Sequence, residues 1–140
     1  MQAITDWITD NAITMKNSFD LPNVRTFKQR YSIDQRYSES RRVLEKYHGE
    51  RIPIICERAR NSRLGQLRHN KFLVPRDLTM AQFMYVIRKH LKLDASTALY
   101  IYVNGSTIYS GNMLISTIYE YKKDPDGFLY VIYNSENTFG

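Results

Sequence analysis

The residues of this chain that could do covalent chemistry lie at its end, where Phe139 is followed by Gly140. A terminal glycine has no Cβ to shield its carbonyl from a nucleophile or to widen a slot that the chain must thread, so its carboxylate is suited to activation and transfer. A second reading stands beside this one. Asn134-Ser135-Glu136-Asn137-Thr138 is too polar to offset its own ordering entropy, and chain ends commonly fray. Nothing elsewhere competes for the chemistry. His48, His69 and His90 fall on three different elements, no Ser or Cys has a nucleophile motif around it, and no glycine-rich phosphate loop occurs. Cys56 is the single cysteine, and with no other Cys or clustered His no metal or redox site is expected. Its expected role is that of a small core residue. No enzyme activity, catalytic residue or cofactor is expected.

A reactive tail needs a rigid support. Phe128-Leu129-Tyr130-Val131-Ile132-Tyr133 is β-branched and aromatic without Gly or Pro, the pattern of a well-paired central strand, and residues 135–140 are read as the flexible tail that it presents. With 140 residues, 43% of them hydrophobic, the chain is long enough for one domain with a single core. No run of about 18 apolar residues is present and the N-terminus lacks the basic start and apolar stretch of a signal peptide, so an intracellular, cytoplasmic protein is expected. The net charge of +6 is unevenly placed. Residues 1–22 hold one Lys against three Asp, residues 23–92 hold 17 Lys and Arg against six acids, and residues 93–140 hold two against five. The basic middle suits an acidic protein segment, anionic lipid or nucleic acid.

Taken in order, residues 1–25 form an extension in which Ile4, Trp7, Ile8, Ala12 and Met15 recur at helical steps. A short amphipathic helix is expected there, packing on the domain or touching a membrane or partner, until Phe19-Asp20-Leu21-Pro22 stops it. The capping box Ser32-Ile33-Asp34-Gln35 opens a helix to Tyr47, with Ile33, Tyr37, Leu44 and Tyr47 on one face and Arg36, Arg41, Arg42, Glu45 and Lys46 on the other. After His48-Gly49, residues 51–58 alternate as a strand. Ile52, Ile54 and Cys56 face the core, and Pro53, Ile55 and Glu57 face away, with Pro53 marking an interrupted ladder or an edge. In Lys71-Phe-Leu-Val-Pro75, Phe72 and Val74 point inward and Lys71 and Leu73 outward. Pro53, Ile55 and Leu73 are therefore expected as exposed apolar residues beside basic ones, the beginnings of a groove.

A second capping box, Thr79-Met80-Ala81-Gln82, starts a helix with Phe83, Val86, Ile87 and Leu91 inward. A strand over residues 98–103, the turn Asn104-Gly105, a short helix over 113–121 and the turn Asp124-Pro125-Asp126-Gly127 lead to the final strand. From residue 51 the order is strand, strand, helix, strand, short helix, strand. This predicts an α+β, β-grasp (ubiquitin-like) domain with a mixed four-stranded sheet and a helix across one face, over residues 26–134. The run Asp126-Gly-Phe-Leu-Tyr-Val-Ile-Tyr133 partly matches an RNA-recognition pattern, but Asp126 replaces the basic residue, Leu129 replaces the small one, and too little chain follows. No nucleic-acid partner is expected.

Arg51-Ile-Pro-Ile-Ile-Cys-Glu57, Lys71-Phe-Leu-Val-Pro-Arg-Asp-Leu78, Gln82-Phe-Met-Tyr-Val-Ile-Arg-Lys89, Ala98 to Asn104, Asp126-Gly-Phe-Leu-Tyr130 and Ser135-Glu-Asn-Thr-Phe-Gly140 together resemble the autophagy ubiquitin-like modifiers, the GABARAP and light-chain family. The resemblance covers about residues 26–140. It implies two N-terminal helices, over 26–31 and 33–47, before the ubiquitin fold. It also implies that a cysteine protease, recognising Phe139, exposes Gly140. Activating and conjugating enzymes would then join that glycine to phosphatidylethanolamine on autophagosomal membranes.

Cargo receptors and adaptors with acidic aromatic-x-x-aliphatic motifs would add as a strand to the sheet edge, main-chain bonds supplying affinity and side chains specificity. The aromatic pocket implied comprises Glu39, Val43, Pro53, Ile55, Lys71, Leu73 and Phe128. The aliphatic pocket comprises Val74, Pro75, Leu78, Phe83 and Val86, with Arg51 nearby. His69 and His90 depart from the Lys and Arg common in the family. Conjugation to protein lysine, and a basic non-covalent scaffold for tubulin tails or membrane surfaces, are the alternative readings.

Overall fold

Local capping chemistry fixes where three of the helices start. A computed structural model of the chain describes residues 8–9, for which it gives the backbone, and residues 25–136. Helix α1, Phe27–Arg30, is capped by Thr26, α2, Ile33–Lys46, by Ser32, and α3, Met80–Leu91, by Thr79, each with a reciprocal glutamine at N3. The strands are β1, Ile8–Thr9; β2, Arg51–Arg58; β3, Lys71–Pro75; β4, Tyr100–Val103; and β5, Leu129–Asn134, with α4, Ile115–Lys122, between β4 and β5. The Asn104-Gly105 turn takes positive φ at both residues, 53° and 76°.

The strands lie in the order β1-β3-β2-β5-β4. β2 pairs antiparallel with β3 and parallel with β5, and β4 pairs antiparallel with β5. This is the mixed four-stranded sheet expected, to which β1 adds a fifth strand, parallel to β3 with Ile8 opposite Phe72 and Thr9 opposite Leu73. The amphipathic-helix expectation therefore fails at Ile8 and Thr9; Ile4, Trp7, Ala12 and Met15 lie outside the described residues. Helical spacing in a short apolar segment cannot distinguish a helix from a strand that finds a partner elsewhere in the chain.

Each face of the sheet is covered. On one, Ile52, Ile54, Cys56, Phe72, Val74, Leu129 and Val131 pack with Phe83 and Ile87 of α3 and with Ile115 and Ile118 of α4. On the other, Ile55, Leu73 and Phe128 pack with Phe27 of α1 and Val43 of α2. Cys56 is buried as expected, and burial pushes its thiol pKa well up, with Glu57 adding to the shift.

Three expectations are corrected here. The buried side of α2 holds Glu39, Ser40 and Val43, while Ile33 and Tyr37 are 51% and 46% exposed. Arg36 is not on a solvated face but reaches a buried carboxylate, because the turn before β5 supplies a partner that helical periodicity could not reveal. Pro53 lies in a strand with neighbours on both sides. The Cys56 N–H donates to the Asn70 carbonyl at 2.8 Å, so even-numbered β2 amides face β3 and position 53 faces β5, where pairing begins only at Ile54. The missing N–H of proline therefore breaks no ladder bond.

Candidate functional site

The C-terminal segment leaves the sheet from a strand held on both sides, since β5 lies between β2 and β4. Asn134, which opens the polar run Asn134–Thr138, is the last residue of β5 and is 2% exposed. Its amide donates to Asn61 Oδ1 at 3.1 Å, and its Oδ1 accepts the Ser135 N–H at 2.7 Å. The Tyr102 hydroxyl donates to the Glu136 carbonyl at 2.9 Å. Satisfied hydrogen bonds thus bury a polar residue and tie the chain down through Glu136. Phe139 and Gly140 lie outside the described residues.

The turn that starts β5 is fastened to α2. Arg36 Nη1 lies 2.7 Å from Asp126 Oδ2, and Asp126 Oδ1 accepts the Phe128 N–H at 2.9 Å. The Tyr130 hydroxyl also donates to Asp126. Burial, followed by that bond, drives the Tyr130 phenol strongly upward in pKa. Ser40 Oγ donates to the Asp126 carbonyl at 2.6 Å, and the Tyr119 hydroxyl donates to the Gly127 carbonyl at 2.7 Å. Sequence reasoning missed this network; the buried Asp126 in an Asp-Pro-Asp-Gly turn reads locally as turn chemistry.

The two implied pockets fall on opposite faces of the sheet and meet at β3. All members of the aromatic set, Glu39, Val43, Pro53, Ile55, Lys71, Leu73 and Phe128, are buried. The expected exposure of Pro53, Ile55 and Leu73 is thereby corrected. They do face away from α3, but Ile55 and Leu73 are sealed in a second cluster with Phe27, Val43 and Phe128. Glu39 is held by Arg42 through bonds of 2.9 and 2.8 Å. In the aliphatic set, Val74 and Phe83 belong to the core under α3, Leu78 and Val86 are partly buried against it, and Pro75 is half-buried at the end of β3. Arg51, half-buried at the start of β2, stands over the Tyr47 ring at 5.8 Å.

β3 is the border between these sets, and its outer backbone is paired with β1. Just before it, His69 is buried, while half-buried His90 meets Phe72 edge-on at 5.7 Å. Burial, then His69 and Lys89, holds the His90 imidazole below its ordinary pKa. A separate cavity of about 490 Å³ lies toward β4 and β5, lined in part by Lys28, Glu57, Asn104, Lys122, Tyr130 and Ile132. No motif in the sequence marks it. Among the described residues no cluster of His, Cys, Asp or Glu could hold a metal ion, and no helix is long and apolar enough to cross a membrane.

Known proteins match most of this chain. A family described as "Autophagy protein Atg8 ubiquitin like" matches residues 35–140. Autophagy-related protein 8 of Kluyveromyces marxianus is 50% identical over 114 residues, covering 81% of this chain and 90% of that protein. The protein of the same name from Saccharomyces cerevisiae is 47% identical over 115 residues, covering 82% of this chain and 97% of its own length. The crystal structure of Trypanosoma brucei ATG8 superposes with a TM-score of 0.75 at 43% identity, covering 83% of this chain and 98% of that one.

Proposed function

This chain belongs to the Atg8 family of ubiquitin-like autophagy proteins, and on that premise we propose that it is conjugated through Gly140 to phosphatidylethanolamine and tethers cargo receptors to autophagosomal membranes. The observation that carries this reading is the family match running to Gly140 itself. In this reading the chain is the group transferred. A cysteine protease recognising Phe139 frees the glycine. An activating enzyme adenylates its carboxylate with ATP, releasing pyrophosphate, and the acyl group passes as a thioester to the conjugating enzyme with release of AMP. The lipid amine then attacks the unshielded carbonyl, breaking the C–S bond to form an amide and return the enzyme thiol. Fixing β5 between two strands and tying residue 136 to Tyr102 supports the role, because a defined anchor limits the tail to the segment that must enter those enzymes. On the membrane-bound form, acidic aromatic-x-x-aliphatic segments add to the β3 edge, steered by half-buried Arg51.

Incubation with the activating and conjugating enzymes, ATP and phosphatidylethanolamine liposomes tests it. Wild type is expected to give a faster-migrating lipidated band that Gly140→Ala abolishes. Absence of that band, or mass spectrometry showing an amide to protein lysine as the product, overturns the lipid assignment.

A further inference from the structure

We infer that the N-terminal extension occupies this chain's own docking edge: β1 lies on the outer side of β3, where an external segment would add, and must leave before one can bind. The inference rests on the β3 edge being the receptor-binding edge, as proposed above. Its own support is the backbone. The bond from the Cys56 N–H to the Asn70 carbonyl fixes the alternation of the β2–β3 ladder, so the main-chain groups of Phe72 and Val74 point to β2 and those of Lys71 and Leu73 point outward. With Ile8 opposite Phe72 in a parallel pair, Ile8 faces those outward groups. The donors and acceptors that an added strand requires are therefore already engaged by residues of the same chain.

The extension also has the chemistry of the partners that the edge suits. Asp6-Trp7-Ile8-Thr9-Asp10 places an aromatic residue between two acids, in a segment with three Asp and one Lys over residues 1–22, against a middle that holds 17 basic residues and six acidic ones. It is an imperfect mimic. Asp10 stands three residues after Trp7, where an aliphatic residue would complete the motif. The paired stretch is only two residues long. A short, mismatched strand binds weakly by itself, but as part of the same chain it competes at an effective concentration that reaches the order of millimolar for short tethers. The result is a displaceable occupant that lowers apparent affinity for receptors by the fraction of molecules in which the edge is taken.

The test uses the full-length chain and a synthetic acidic peptide with a Trp-x-x-Leu core. Ile8→Pro removes the N–H at the position facing β3. In calorimetry the variant is expected to bind the peptide about threefold to tenfold more tightly than wild type, the gain expected when an intramolecular competitor is removed. In hydrogen exchange, the Leu73 amide should be slow in wild type and fast in the unliganded variant, with the thermal midpoint of the domain unchanged. Equal affinities, or a Leu73 amide that exchanges as fast in wild type as in the variant, overturn self-occupancy while leaving the docking edge in place. Failure of both proteins to bind the peptide removes the docking edge and the inference with it.

Discussion

The guanidinium of Arg36 lies 2.7 Å from the carboxylate of Asp126, across the gap between α2 and the turn that opens β5; Asp126 has no solvent exposure and the Arg36 side chain has 11%. The pair couples a helix outside the ubiquitin-like order of strands to the strand that carries the C-terminus. Three groups converge on this carboxylate: Arg36, the Phe128 N–H and the Tyr130 hydroxyl.

Asp126→Ala leaves those donors without their acceptor in a buried site. Urea denaturation should register a loss of about 3 kcal/mol, the scale for breaking a buried ion pair and stranding its hydrogen-bond donors. Asp126→Asn, which keeps acceptor capacity, should lose less.

Gly127 takes φ of +93°, and a Cβ there would stand 2.3 Å from Ser40 Oγ and 2.9 Å from Ser40 Cβ. Gly127→Ala should cost about 2–4 kcal/mol from the clash and the unfavourable backbone together. Replacing Ser40 by Gly as well should recover the steric part only, which a double-mutant cycle reads as non-additivity.

Leu73 is 2% exposed and packs with Phe27, Val43, Ile55 and Phe128. Leu73→Ala is therefore expected to destabilise the domain by about 2–4 kcal/mol, the usual cost of a core truncation, so that weaker peptide binding by this variant would mix fold with contact. Half-buried Arg51 separates them. Arg51→Glu should weaken an acidic Trp-x-x-Leu peptide while preserving the thermal midpoint, and wild-type affinity should fall between 50 and about 500 mM salt as screening shortens the reach of the charge.

His90 is held below the ordinary imidazole pKa by burial, with His69 and Lys89 reinforcing it, and its Nε2 has no hydrogen-bond partner among the described residues. The unfolded chain, at about 6.5, takes up the proton first. Its contribution is complete above that pH and is lost as pH falls through the lower folded value. Thermal midpoints should drop from pH 7.5 to pH 5.5, and His90→Gln should make the drop shallower.

Much of this domain was legible before any tertiary contact was known. The Ser32 and Thr79 caps, the Asn104-Gly105 turn and the period-two runs at residues 51–58 and 71–75 are local, and each depends on residues a few positions apart whose backbone preferences act without the rest of the chain. Alternation also assigned Ile55 and Leu73 to the face away from α3. Only the tertiary structure decided what covers that face. Val43 arrives there on α2, fastened by Arg36 and Ser40 to a turn 86 to 90 residues further along the chain, and Phe27 arrives on α1, whose Lys28 reaches Asp124 of the same turn; no local period encodes these contacts. The same holds for β1. Ile8 belongs to a helical spacing, yet Ile8 and Thr9 form a strand because β3 offers an edge whose outward amides and carbonyls need partners.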